Sequence, residues 1–318
     1  MVEAYFRLEN RVKELLSSAY RKYSYYYFRM VEEICRILAR LYPFIIFDKI
    51  YCSAKYRRIL NEKLNLKNPQ TFNAKIQWLK LYDRNPKYTQ LTDKYAVREY
   101  VKDRIGEQYL NELIGVYSNV DEIDFERLPN KFVLKATHGS GWNIVCDNKE
   151  KLNIQEVKAR LAKWLKLNWY HKKGEWNYKN IHPRIICEKY LEGDKQVGLV
   201  DYKFFCYHGN PKFIDVHVDR FTNHMEALYD KKWILQPFHL EYPPPPNREI
   251  PQPAQLDLMV ELAKKISSGI DFCRVDLYNF NNSVIFGEIT FYDGSGFDLF
   301  IPREFDYILG TYLNLHMI

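Results

Sequence analysis

Residues 273–290 read CRVDLYNFNNSVIFGEIT, and FYDGSG follows directly. Two apolar runs flank the polar stretch Asn279 to Asn282, which predicts a pair of antiparallel strands joined by a tight turn. Asp276 interrupts the first run and Glu288 the second, at places where the hairpin brings them opposite each other. Two carboxylates directed into a core require a cation or hydrogen-bond donors. Hard oxygen ligands of this kind suit Mg²⁺ beside a phosphate. Arg274 lies two residues before Asp276 and so shares its strand face, which leaves a second reading open: a buried ion pair between Arg274 and one of the acids.

Working outward, the remaining strand-like segments are FVLKAT, NIVCD, RIICEKYL, VDYKFFCYH and PKFIDVHV, all upstream. Between them lie two helical patterns, one carrying Ile154, Val157, Leu161, Trp164 and Leu165, the other Leu258, Met259, Leu262, Ala263 and Ile266. EYPPPPNREIPQP is a stiff loop. Ahead of all this, residues 1 to about 65 are helical in pattern, NAKIQWLKLY adds another helix, and LTDKYAVREYVKDRIG reads as a helix opening near Thr92 or Asp93 and closing before Gly106. The class is α+β, with a helical segment over 1–90 and two mixed parts over 91–195 and 196–318. Strand and helix do not alternate as a doubly wound parallel sheet requires.

Two further stretches carry chemistry. In FVLKATHGSGWNIVCD a strand ends near Lys135, and Gly139-Ser140-Gly141 forms a loop before the next strand. This is a plain glycine hairpin, or a flap whose backbone N–H groups hold a phosphate. Neither G-x-G-x-x-G nor a Walker A loop is present. In RIICEKYLEGD an apolar strand delivers Glu188-Lys189-Tyr190-Leu191 and then a glycine turn. It is a solvated strand end, or a hinge whose backbone meets an adenine edge with a carboxylate for the ribose. Lys203 stands on an aromatic strand face, where a lone cation is costly without an anion.

The formal net charge of +7 favours an anionic partner, such as a nucleotide, an acidic sugar or a lipid surface. The basic residues are spread out and no nucleic-acid recognition motif appears. Six cysteines without C-x-x-C spacing argue against structural zinc and for reduced thiols in the cytoplasm. The N-terminus is charged from Glu3 and lacks the apolar core of a signal peptide. LYPFIIF is too short to cross a bilayer, while YRKYSYYYFRM is compatible with peripheral contact at a membrane's inner face.

The ordered landmarks resemble those of ATP-grasp enzymes: a lysine strand, a glycine flap, a Glu-Lys-aromatic-Leu hinge, then Arg-x-Asp and Glu-x-Thr. NPQTFNAKIQWLKLYDRNP, DKYAVREYV, LPNKFVLKATHGSGWN, DYKFFCYHGNPKF, DRFTNH and GEITFYDGSGF are similar to the TupA-like, teichuronopeptide-biosynthesis branch, over roughly Asn65 to the C-terminus. The resemblance implies an ATP-grasp fold after a helical N-terminal segment, with ATP and Mg²⁺ as cofactors. It implies Lys94, Lys135 and Lys203 toward the phosphates, and Gly139, Ser140 and Gly141 as the flap. Glu188, Lys189, Tyr190 and Leu191 would line the adenine, with Asp194 on the ribose. Arg274 would stabilise the transferred phosphoryl group, and Asp276 and Glu288 would hold the metal. Where the family commonly has Glu-x-Asn this chain has Glu288-Ile289-Thr290, so Thr290 or water takes the third metal position. Gly294, Ser295 and Gly296, with Asp219, Arg220 and His224, are candidates for the other substrates. The implied reaction joins an acidic sugar or glycan carboxylate to an amino acid or small amine through an acyl phosphate. A kinase without amide formation, or a glycosyltransferase, is the alternative reading, although no D-x-D motif is present.

Overall fold

The computed structural model describes residues 2–42, 44–193, 199–218, 224–245, 250–281 and 283–316, with side chains from residue 22 onward. The chain divides into two compact units, Met1–Pro69 and Gln70–Ile318. The first unit ends ahead of α3 (Phe72–Tyr82), within the stretch 1–90 that reads as helical in sequence. The reason is that the buried Phe72, Ile76 and Leu79 of this helix belong to the core of the second unit.

In the first unit, α1 (Val2–Leu41) and α2 (Ile45–Leu60) pack against each other. Their contact is held by two ion pairs, Arg36 to Asp48 at 2.5 Å and Arg58 to both oxygens of Glu32 at 2.6 and 2.9 Å. Arg36, Asp48 and Glu32 are buried, so removing one partner of either pair would leave an uncompensated buried charge.

The second unit opens with α3, capped by Thr71, whose hydroxyl accepts from the Ala74 N–H at 3.1 Å. A cap of this kind contributes about 1 kcal/mol. The helix expected to open near Thr92 or Asp93 and to close before Gly106 opens later, as α5 (Val97–Ile105), and a short helix, α4 (Lys87–Thr92), precedes it. Asp93 divides them, because its carboxylate accepts from the backbone N–H groups of Tyr95 and Ala96 and so competes with helix continuation.

The strands form two antiparallel sheets. The smaller contains β1 (Leu113–Tyr117), β2 (Phe132–Ala136), β3 (Asn143–Cys146) and β4 (Ile185–Lys189), in the order β1-β4-β2-β3. The larger contains β5 (Asp201–Tyr207), β6 (Asn210–Val218), β7 (Met225–Asp230), β8 (Phe272–Phe280) and β9 (Ser283–Thr290), in the order β7-β6-β5-β8-β9. Each sheet has its own core. Helix α6 (Ile154–Leu165) covers the smaller sheet with Val157 and Leu161. Helix α8 (Leu256–Ser267) covers the larger with Met259, Leu262, Ala263 and Ile266, which stand at i, i+3, i+4 and i+7 and so form one apolar stripe. A fully buried Leu or Ile of this stripe contributes roughly 1.5–3 kcal/mol. Strand β5 is buried along its whole length, since α8 lies on one of its faces and the other faces a cavity.

Candidate functional site

The cavity encloses about 270 Å³ and is lined from both sheets. Lys135 and Glu188 reach it from β2 and β4; Asp201, Lys203, Arg274, Asp276 and Glu288 reach it from β5, β8 and β9. Lys94 enters from just ahead of α5 and Arg98 from its first turn, and Ser140 to Asn143 line it from the smaller sheet.

The hairpin predicted from CRVDLYNFNNSVIFGEIT is present as β8 and β9, and Asp276 and Glu288 are direct register partners. A bulge follows Asp276, and the residue opposite is Gly287. A Cβ there would lie 3.0 Å from the Asp276 carbonyl oxygen, so the close approach favours glycine. Arg274 forms two parallel hydrogen bonds with Asp276, Nε to Oδ1 at 2.7 Å and Nη2 to Oδ2 at 2.8 Å. Its Nη1 donates to Asp293, and Nη2 lies 3.3 Å from the Thr290 hydroxyl. The ion pair and the paired-carboxylate readings therefore coexist in one cluster. Glu288 accepts from the Lys94 ammonium at 2.8 Å.

The two carboxylates differ in acidity because their surroundings differ. Burial pushes Asp276 up to about 6 despite the Arg274 guanidinium. Burial alone would raise Glu288 too, but the Lys94 charge and hydrogen bond, with Arg274 behind them, hold it down to about 2. Two adjacent carboxylates facing one cavity are a donor set that a hard divalent cation fits; Thr290 does not line the cavity, and its hydroxyl lies behind them against Arg274. Each oxygen now bonded to Arg274 or Lys94 keeps a second lone pair for such an ion.

On the opposite wall, Glu188 is buried between two cations, Lys135 Nζ at 2.7 Å and Arg98 Nη1 at 3.2 Å. The rest of the expected hinge lies elsewhere. Lys189 is exposed and pairs with Glu112 at 3.1 Å, and its backbone N–H donates to the Glu112 carbonyl. Period-two alternation sends neighbours on a strand to opposite faces, so Glu188 inward puts the Lys189 side chain outward. Tyr190 stacks near Lys131, and neither it nor Leu191 lines the cavity. Asp194 lies outside the described residues.

The glycine loop joins β2 to β3, as the hairpin reading expects. Its base is fixed by aromatic packing. Trp142 stacks on Trp164 with ring centroids 6.2 Å apart, meets Trp169 edge-on, and contacts His138, whose Nε2 lies 2.9 Å from the Trp164 carbonyl. Gly139 lies flat against the Trp142 ring, where a Cβ would clash. Gly141 has a φ of +68°, which glycine adopts at no steric cost. Ser140 and Gly141 at the tip are exposed and line the cavity, whereas Gly139 is part of the anchor.

Beyond Lys203 the polar face continues across β6 and β7. In register, Lys203 pairs with both Asp215 and Asp276, and His217 pairs with both Asp201 and Glu226. The Lys203 ammonium donates to His217 Nε2 at 2.6 Å, Asp215 Oδ2 lies 2.6 Å from the same nitrogen, and His217 Nδ1 meets His224 Nε2 at 2.8 Å. Burial and the neighbouring Asp215 push Glu226 up to about 8. Ligand atoms of Asp215, His217 and Glu226 lie within 4.8 Å of one another, but Lys203 already supplies positive charge at that point. Asp201, Asp215, His217, Glu226 and Arg98 were not among the sequence candidates. For Asp215 and His217 the alternation Asp-x-His in FIDVHV was a signal, because it places both residues on one strand face. His224 joins this cluster; Asp219 and Arg220 lie outside the described residues.

Gly294, Ser295 and Gly296 do not line the cavity, though Asp293 is tied to it through Arg274. Gln77 Nε2 donates to the carbonyls of Ser295 and Gly296 at 2.9 and 2.7 Å, and the buried Lys80 ammonium to that of Ser295 at 2.9 Å. Helix α3 thus fastens this turn to the larger sheet. Ser295 has a φ of +59°, and its N–H is taken by the Tyr292 carbonyl at 2.8 Å.

Two antiparallel sheets closing on a cationic cavity, with paired acids on one and a glycine flap on the other, define the ATP-grasp class. The family model described as TupA-like ATPgrasp matches residues 74–314, and the chain belongs to that family. No curated protein sequence matches the chain. Solved structures similar to it include D-alanine–D-alanine ligase from Helicobacter pylori (14% identity, TM-score 0.39, 78% of this chain and 70% of that one). The ligase of the same name from Bacillus anthracis, complexed with ATP, is 11% identical (TM-score 0.37, 71% and 68%). The ATP-grasp ligase PsnB complexed with its minimal precursor is 12% identical (TM-score 0.37, 68% and 60%). The chain spans 60% of the length of PsnB and 48% of phosphoribosylamine–glycine ligase from Thermotoga maritima. At these values the likeness adds nothing to the family assignment.

Proposed function

We propose that the chain is an ATP-dependent carboxylate–amine ligase. The observation that carries this reading is the convergence of Lys94, Lys135, Lys203 and Arg274 with the Asp276/Glu288 pair on one cavity beneath the Ser140–Gly141 tip. With Arg98 the cavity has five cations, and with Glu188 and Asp201 four acids; clustered Lys and Arg donors beside a carboxylate pair suit a polyphosphate and its metal better than a neutral ligand. Asp276 and Glu288, with Thr290 or water, would hold Mg²⁺, which supplies charge neutralisation at the phosphates. Lys135 and Lys94 would bind phosphate oxygens, and Ser140 and Gly141 would cover them and exclude water. Glu188, the one hinge residue that lines the cavity, would face the nucleoside, with Asp194 toward the ribose.

The chemistry then needs no protein nucleophile. A substrate carboxylate oxygen attacks the γ-phosphorus and ADP leaves. Arg274 and Lys203 stabilise the charge on the transferred group. The amine nitrogen next attacks the acyl carbon, the C–O bond to phosphate breaks, and phosphate departs with the electron pair. The polar track of Asp201, Asp215, His217 and His224 adjoins Lys203 and is suited to the acceptor side. The turn Gly294–Gly296 and the segment with Asp219 and Arg220 would contribute to the same side.

The family resemblance supports a uronic acid carboxylate on a sugar nucleotide, lipid-linked oligosaccharide or polysaccharide, joined to an amino acid or small amine. ADP release across a grid of uronic acids and amines tests this. Release that requires both partners is expected. Sugar transfer from a nucleotide sugar, with no ATP turnover for any pair, would overturn the reading.

A further inference from the structure

The charge of this chain is not spread evenly. Residues 1–69 hold 14 Lys and Arg against 7 Asp and Glu, which is the whole of the net +7; residues 70–318 hold 33 of each sign and are neutral. The excess positive charge therefore belongs to the helical unit and not to the part that bears the cavity.

The same unit exposes an unusual face. Along α1, Tyr23, Tyr27, Met30, Ile34, Ile37 and Leu41 are all exposed, Tyr23 at 73% and Leu41 at 66%. Their spacing alternates four and three, so they form one stripe along the helix. It lies opposite the face of Glu32, Cys35, Arg36 and Ala39, which is buried. Exposed Lys22, Arg29 and Arg40 border the stripe on one edge, where Glu33, 3.5 Å from Arg29, is the one acid among the described residues. The connector adds exposed Tyr42 and Phe44 beyond its end. No helix among the described residues is long and apolar enough to cross a membrane.

We infer that this stripe lies on an anionic lipid surface, with α1 parallel to the plane of the bilayer. An apolar stripe rich in tyrosine, edged by Arg and Lys, is the composition of an interfacial helix. Excess positive charge in the same unit draws it to acidic headgroups. A second copy of the chain is the competing occupant, because four-three spacing is also a coiled-coil seam. Charge argues against it. Pairing two stripes brings together two units of +7 each. The flanking positions Tyr26, Glu33 and Arg40 on one side, and Ser24, Val31 and Leu38 on the other, offer few opposite-charge pairs to fix a register.

The test is co-sedimentation of the full chain with phosphatidylcholine vesicles and with vesicles that also contain phosphatidylglycerol. Binding to the anionic vesicles alone, weakened by salt, is the expected result. Ile34→Asp with Ile37→Asp should lower it by about tenfold or more, with unchanged circular dichroism. Charge reversal at Lys22, Arg29 and Arg40 keeps the stripe and should also lower it. Failure to bind anionic vesicles, or equal binding by both variants, overturns the inference. A dimer in analytical ultracentrifugation that the Ile34/Ile37 variant abolishes, without vesicle binding, assigns the stripe to a second copy instead. Neither outcome bears on the ligase reading, which the ADP assay decides separately.

Discussion

Asp276→Asn tests the acid pair with little change in shape. Both Asp276 oxygens accept from Arg274, and the side chain is buried. Asparagine keeps one acceptor and turns an NH₂ toward a guanidinium N–H, so one charge-assisted bond is lost. Such a bond contributes about 1.5–3 kcal/mol. Asp276 is itself strained toward neutrality by burial, which offsets part of the loss, so about 2 kcal/mol is expected. For a unit of this size that lowers Tm by about 4–8 °C. The nucleotide response separates fold from function. At about 100 times its Kd, MgATP should stabilise the wild type by about 2.7 kcal/mol. The Asn variant should lose the part of that gain that depends on Mg²⁺. If the ion contributes about 4 kcal/mol to the transition state, turnover falls about a thousandfold. Thermal melts with ATP, with and without Mg²⁺, followed by ADP release, check both halves. A variant that keeps its Mg²⁺-dependent shift and its rate would refute the metal assignment.

Three other outcomes are expected. Gly139→Ala places a methyl against the Trp142 ring and displaces the flap at a cost of about 1–3 kcal/mol, so KM for ATP should rise by about tenfold; an unchanged KM would separate the loop from ATP. Glu226 has an ordinary carboxyl pKa of 4.5 when unfolded and about 8 when folded, so the folded state holds a proton that the unfolded state releases between those values. Stability from this group is therefore present below about 4.5 and lost as pH rises through about 8; Glu226→Gln should flatten that decline in melts from pH 5 to 9, and parallel curves would contradict it. Lys80→Met frees the Ser295 carbonyl from its ammonium, and should raise KM for the acceptor while leaving KM for ATP in place, as initial-rate kinetics with each substrate varied would show.

Much of this was legible in the sequence where local pattern and tertiary role coincide. The β8–β9 hairpin has strong alternation, a polar turn and two out-of-place acids, so its register and its chemistry come from the same residues. The β2–β3 loop is similar: its glycines mark the turn, and Ser140 and Gly141 at its tip line the cavity. Strands β1 and β7 were missed, and both are sheet edges. Edge strands have one bonded neighbour, and β1 is only half-buried throughout, so its alternation is weak. The polar track through Asp215, His217 and Glu226 was also missed, because it runs across strands and exists only after pairing. Lys189 shows the opposite case: its place in Glu-Lys-Tyr-Leu is suggestive, while strand alternation turns its side chain away from the cavity toward Glu112. The location of the net charge was readable from residue counts, but only the division at Pro69 gave it meaning.

The central claim is that a carboxylate is activated by the γ-phosphoryl group of ATP in the cavity. Its most direct test uses the carboxylate selected by the ADP assay, labelled with ¹⁸O in both oxygens and supplied with ATP, Mg²⁺ and the amine. An acyl-phosphate route carries one labelled oxygen into each phosphate released, and leaves the other in the amide, as mass spectrometry of both products would record. Phosphate without label, formed alongside ADP, would contradict the account.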